Sequence, residues 1–238
     1  MPFHWGGVAL AAVFVVNGAA AIGPTFTHPL EFTNRFQPFQ VGAIKVFTGH
    51  KEGKATTDVD LYLDATRTFR FDDTEVETRV LQESAFENGR LVEISRNYFA
   101  EADDGTVYYF GEVVDIYEDG AVVDHEGSWL VGGPTEPADP RDAGNAPAPT
   151  VFMPSNPQVG DTFKPEDLLP IVDETDEVVA AGVRVTVPAG RFDGAIRVVE
   201  TTVLDSDRET KWYVPGVGVV KGKAKGESLA LIASTLAS

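Results

Sequence analysis

The stretch Arg90–Val131 constrains the fold more than any other. It contains three strand-length runs, RLVEISRNYFAEA, TVYYFGEVVDIY and AVVDHEGSWLV, separated by Asp103-Asp104-Gly105 and Glu118-Asp119-Gly120. Asp-Gly between β-formers marks a hairpin, because a type I′ turn needs positive φ at both central residues. The runs are rich in Val, Ile, Tyr, Phe and Trp, and no proline interrupts them. This predicts a three-stranded antiparallel meander. With two-residue loops at both turns, Tyr98 lies opposite Gly111 and Arg96 opposite Val113. On the second hairpin Phe110 then faces Trp129, Val114 faces His125, and Asp115 faces Asp124. Alternation gives one face Phe99, Tyr108, Phe110, Val114, Ile116, Val123, His125 and Trp129, the expected core. The opposite face carries Arg96, Tyr98, Tyr109, Asp115, Tyr117, Asp124 and Glu126.

The flanking chain has the same character. Residues 43–48, 56–63, 66–71 and 75–84 read as strands, and Asn88-Gly89 makes a further hairpin turn into Arg90. Beyond the meander, residues 132–158 hold seven prolines and little periodicity. This segment is a linker or a long pinned loop, and the apolar Val151-Phe152-Met153 within it favours the pinned loop. Residues 159–234 return to strand patterns, broken only by a partial helical period over Lys164–Ile171. The expected fold is therefore all-β: an antiparallel meander forming a curved sheet, an open barrel or a sandwich, with a long Pro-rich loop. We expect residues 1–21 to be a signal peptide and 22–238 a single β-rich domain, with two β halves, 43–131 and 159–234, joined by loop 132–158. The leader rests on the apolar run Val8–Val16 followed by Ala19-Ala20-Ala21, although no Lys or Arg precedes the run. The run is shorter than the about 20 residues needed to span a bilayer. An extracytoplasmic location, periplasmic or secreted, follows, with no transmembrane span after processing.

Several pieces resemble a family of uncharacterised exported bacterial β-rich proteins. They are Thr33-Asn34, NYFAEADDGTVYYFGE (97–112), GSW (127–129), MPSNPQVGD (153–161), VTVPAGRFDG (185–194) and KWYVPGVGVVK (211–221). The last two are also similar to envelope proteins with an open curved sheet of the lipoprotein-carrier kind. The resemblance implies one continuous β unit and carries no catalytic residues with it.

Composition narrows the function. The formal net charge is −18, which excludes a phosphate-binding basic face and so argues against nucleic acid. There is no cysteine, hence no disulfide, thiolate metal site or thiol nucleophile. No nucleophile elbow, zinc-helix motif or phosphate-cradling glycine loop occurs. Three constellations remain. Aromatic residues fall on both faces of the strands, so one set is free to bind. Tyr98, Tyr109, Tyr117, Trp212 and Tyr213 are the candidate ligand-binding residues, for an apolar small or extended molecule or an envelope protein. Asp115, Asp124 and Glu126 are candidate oxygen ligands for calcium, in competition with their reading as solvated surface acids. Glu112 diagonal to His125 offers a general-base pair for a hydrolase, in competition with a core histidine held by a carboxylate. The reading that unites most of these features is a non-enzymatic, cofactor-free binding protein. A calcium-assisted structural or surface protein and a hydrolase are the alternatives.

Overall fold

Turn chemistry sets the local register. Three hairpins close on two-residue turns with positive φ at both central residues: Glu52-Gly53 (49° and 82°), Asn88-Gly89 (49° and 77°) and Asp119-Gly120 (49° and 82°). This is the type I′ geometry, whose twist matches that of the flanking strands. The computed structural model describes residues 23–71, 73–204, 206 and 208–236. The expected leader, 1–21, lies outside the described residues, as does part of the turn expected at 205–208.

The described residues form strands and turns, with no helix. Strands β1 (Ile44–Lys51), β2 (Lys54–Phe71), β3 (Thr74–Glu87), β4 (Arg90–Glu101) and β5 (Val107–Glu118) follow one another as antiparallel neighbours. Short strands β6 (Ala121–Asp124), β7 (Trp129–Val131) and β9 (Thr150–Met153) all pair with β5, and β8 (Gly144–Ala146) lies parallel to β7. Strands β10 (Thr162–Leu168), β11 (Val172–Val187), β12 (Gly190–Thr201), β13 (Arg208–Val214), β14 (Gly218–Ala224) and β15 (Glu227–Ser234) form a second antiparallel run. Pairing of β15 with β1 joins the two runs into one mixed sheet. The sheet curls into a nearly closed barrel with one unsealed seam, between β10 and the short strands on the outer edge of β5. Side chains bridge that seam. Thr150 donates its hydroxyl to the Pro165 carbonyl. Gly144 lies against Leu168 and Ile171, where a Cβ would come within 2.6 and 2.7 Å of their terminal methyl groups.

The meander is present, but bulges change its register. The Asp104-Gly105 turn is a three-residue loop closed by Ala102 and Thr106, not the expected two-residue I′ turn. Tyr109 therefore faces Phe99, and a bulge between Asn97 and Phe99 restores Arg96 to Val113. A second bulge, between Ile116 and Tyr117, puts Asp124 opposite Ile116 rather than Asp115. Bulges insert one residue and turn every later side chain to the other face. Tyr109 and Phe99 thus share the inner face of the barrel, while Phe110 and Tyr98 point outward. Strand β6 is exposed throughout, so Val123 is not core. The partial helical period at Lys164–Ile171 belongs to β10 and the turn after it.

The outer face of β2–β5 is covered by the N-terminal lead-in and the Pro-rich loop. Phe26 packs edge-on to Phe71, Tyr108 and Phe110, and Phe69 lies between Tyr98 and Phe110. Arg67 spans Phe69 and Tyr98, and its two terminal nitrogens meet both Asp139 oxygens at 2.7 and 2.8 Å. That bidentate pair fastens the loop to the barrel. Asn34 gathers three separate segments. Its Nδ2 donates to the Gly105 and Pro154 carbonyls, and its Oδ1 accepts from the Phe36 and Gln37 amides.

Candidate functional site

Alternation along the long strands sends polar residues to the inside of the barrel. On β2, Asp58, Asp60 and Tyr62 point inward, and on β4 so do Glu93, Ser95, Asn97 and Phe99. Tyr109 and Glu112 follow on β5, Glu166 on β10, Glu174 on β11, and Glu209, Lys211 and Tyr213 on β13. All of these but Asp58, Glu93 and Ser95 line a cavity of about 330 Å³ with seven carboxylic side chains and two lysines on its wall. A second cavity of about 180 Å³ shares Phe47, Asp60, Glu83, Val219 and Leu229 with the first and adds Asp58 and Glu93. Aromatic rings complete the lining. Phe99 stacks on Tyr109 at 4.8 Å between ring centres, and Phe152 meets both edge-on.

Enclosure dominates the electrostatics. Burial pushes the Glu83 carboxyl up to about 8, with the nearby Asp60 charge adding to the effect. Asp58 rises to about 6 for the same two reasons. Glu112 is held well above the usual carboxylate range by burial and by the neighbouring Glu166 and Glu83 charges. Glu166 stands close enough across the seam to push Glu112 up further, and burial raises Glu166 itself. Lys45 and Asp60 form a buried ion pair at 3.5 Å, with side chains 2% and 6% exposed. Burial lowers the lysine and raises the aspartate, the direction expected of charges removed from water. Lys211 sits at the other end of the wall, in contact with Glu200 and 3.8 Å from Glu174. Glu83 is anchored by the Asn97 amide at 3.1 Å, and Asn97 in turn accepts the Tyr109 hydroxyl.

The candidate binding residues divide between the two faces. Tyr109 and Tyr213 are on the cavity wall. Tyr98 lies on the outer face under Arg67, Trp212 lies under Lys221, and Tyr117 borders a surface hollow near the β5–β6 turn. The candidate calcium ligands are not gathered. Asp115 pairs with Arg96 at 3.3 Å and His125 at 3.1 Å, while Asp124 accepts the His125 and Glu126 amides. The Glu112–His125 pair is likewise separated. His125 Nδ1 is 2.8 Å from the Val114 carbonyl, whereas Glu112 faces the cavity beside Glu166. Among the described residues, the one trio of acids with metal-ligand spacing is Glu174, Asp176 and Glu200. Comparisons with protein-family models, curated proteins and solved structures find no match for this chain. The site therefore rests on its own chemistry.

Most of the wall residues escape a reading of the sequence. The available signal is the strict polar alternation Asp58-x-Asp60-x-Tyr62 and Glu174-x-Asp176 within strand runs. In an open sheet such a face is the wet one. In a barrel it is the lumen.

Proposed function

We propose that this is an exported, non-enzymatic binding protein whose barrel lumen takes a small organic cation. The observation that carries this reading is the wall of the 330 Å³ cavity, where seven carboxylic side chains outnumber two lysines among aromatic rings. Cavities of this size accept small molecules. Aromatic faces attract ammonium groups, most strongly where water is excluded. The sequence alone suggested an apolar ligand on an aromatic face. Six aromatic rings, those of Phe47, Tyr62, Phe99, Tyr109, Phe152 and Tyr213, are on the wall, but they share it with nine ionisable acids and lysines. The apolar run over 8–16 and the small residues after it support export.

A bound cation favours the ionised form of every carboxyl around it. Since Glu83 and Glu112 hold protons that burial keeps on them, binding should release protons to the buffer. Calorimetric titration with choline, spermidine and benzylamine, repeated in buffers of different ionisation enthalpy, tests both points. The expected result is that at least one of the three amines binds ten times or more tighter than 3,3-dimethylbutan-1-ol, the uncharged isostere of choline, with net proton release. Equal binding of the uncharged alcohol, or binding of laurate in preference to all the amines, would return the lumen to an apolar ligand.

A further inference from the structure

Glu174 and Asp176 are two residues apart on β11, so their side chains emerge from the same face. Glu200 on β12 is the direct cross-strand partner of Asp176. One carboxylate oxygen from each of the three lies within 4.8 Å of the others. Acids directly opposed across a sheet repel unless something neutralises them. Lys211 is the nearest cation, in contact with Glu200, 3.8 Å from Glu174 and 4.0 Å from Glu209. One ammonium thus faces three carboxylates. It also leaves an acceptor unserved: Asp176 is 1% exposed, and its Oδ1 has no hydrogen-bond donor. Buried oxygens without a donor are rare in folded proteins and call for a partner.

We propose that Glu174, Asp176 and Glu200 form a calcium site on the barrel wall, with Lys211 as a built-in competitor for the same oxygens. The ligand set is all oxygen, which selects hard cations over zinc or copper. Three oxygens within 4.8 Å of one another can share one calcium ion, whose oxygen ligands stand at about 2.4 Å and whose flexible shell tolerates irregular spacing better than the strict octahedron of magnesium. Three carboxylates fill part of a calcium shell, and the adjoining cavity gives water access to the remaining positions. The Lys211 ammonium already holds part of the charge that the ion would neutralise, so removing it should favour the metal. This site does not rest on the organic-cation reading of the lumen: its probes are metal ions, and it stands or falls without any amine binding.

The test is calcium binding by calorimetry, together with terbium luminescence sensitised through Tyr213 and Trp212, on the folded full chain. We expect wild-type protein to bind one ion at this site. Asp176→Asn and Glu200→Gln should each weaken binding tenfold or more with unchanged circular dichroism, and Lys211→Met should tighten it by a similar factor. Two aspartates elsewhere on the meander, Asp115 and Asp124, serve as controls, and their Asn variants should bind as wild type does. The proposal is overturned if wild-type protein binds no calcium at millimolar concentration. It is also overturned if Asp176→Asn and Glu200→Gln bind undiminished, if Lys211→Met binds no tighter, or if Asp115→Asn or Asp124→Asn removes the ion instead.

Discussion

Trp129 shows how closely a single residue can be read from sequence and where the reading stops. Its indole is fully buried, as the alternation of the meander implies. Its company differs from that expectation. The register places it beside Phe110, yet it pairs with Glu112 and meets Tyr109 edge-on at 5.1 Å. The cause is Gly111, whose φ is 114° and whose missing Cβ would stand 2.1 Å from the Trp129 carbonyl oxygen. Only glycine permits that approach, and the approach steers Trp129 to the lumen side. The Trp129 indole N–H closes no hydrogen bond, although Glu166 is near enough to be affected by it. Truncating a large buried aromatic typically costs about 3–5 kcal/mol. Trp129→Ala should therefore lower the chemical unfolding midpoint by a large fraction of a total stability of about 5–15 kcal/mol. An unmoved midpoint would show that the neighbouring rings collapse into the vacated space.

At the scale of elements, strands and two-residue turns were legible because both are local. Val, Ile and aromatic alternation and the Asn-Gly and Asp-Gly pairs are enough to place β3, β4 and β5 and the two-residue turns at Asn88-Gly89 and Asp119-Gly120, whereas the Asp104-Gly105 loop is one residue longer than expected. Bulges were not legible, since residues distant in sequence decide them, as Trp129 does at Gly111. The Pro-rich loop was legible as pinned but not in how it is held. Val151-Phe152-Met153 becomes β9, and the stronger fastening is Asp139. This acid is hidden in a polar run, and its partner Arg67 is 72 residues away. Both side chains are nearly fully buried, at 4% and 3% exposed, and Asp139 also caps the Thr135 and Glu136 amides. Removing one member of a buried, hydrogen-bonded pair strands the other charge and costs about 3–5 kcal/mol. Asp139→Ala should lower the thermal midpoint accordingly and raise proteolysis within 132–146 before the barrel unfolds. Cleavage at wild-type rates would show that the outer-face aromatic contacts hold this segment without the ion pair.

The whole molecule encloses many acids, and this decides how its stability should vary with pH. In most proteins paired carboxylates have lowered values, so stability is lost on acidification. Here burial raises the decisive lumen groups, Glu83 to about 8 and Asp58 to about 6. A carboxyl whose value is higher in the folded state than in the unfolded chain binds its proton more tightly when folded. Its stabilising effect is full below the ordinary carboxylate range and fades as pH rises through the folded value. Lumen stability should therefore decline from about pH 4 through pH 8, with Asp58 acting up to about pH 6 and Glu83 across the whole window. The formal net charge of −18 pushes in the same direction, because surface repulsion also grows as acids ionise. Salt separates the two contributions: exposed charges are screened within about 3 Å at 1 M ionic strength, and enclosed ones are screened much less. Thermal midpoints measured between pH 5 and pH 9 should fall with rising pH and should keep most of that fall in 1 M sodium chloride. Glu83→Gln removes the group whose value lies at about 8 and should reduce the slope between pH 6 and pH 8. If high salt abolishes the slope, or the Gln variant keeps it, the pH response comes from the surface and the lumen carboxyls are not its source.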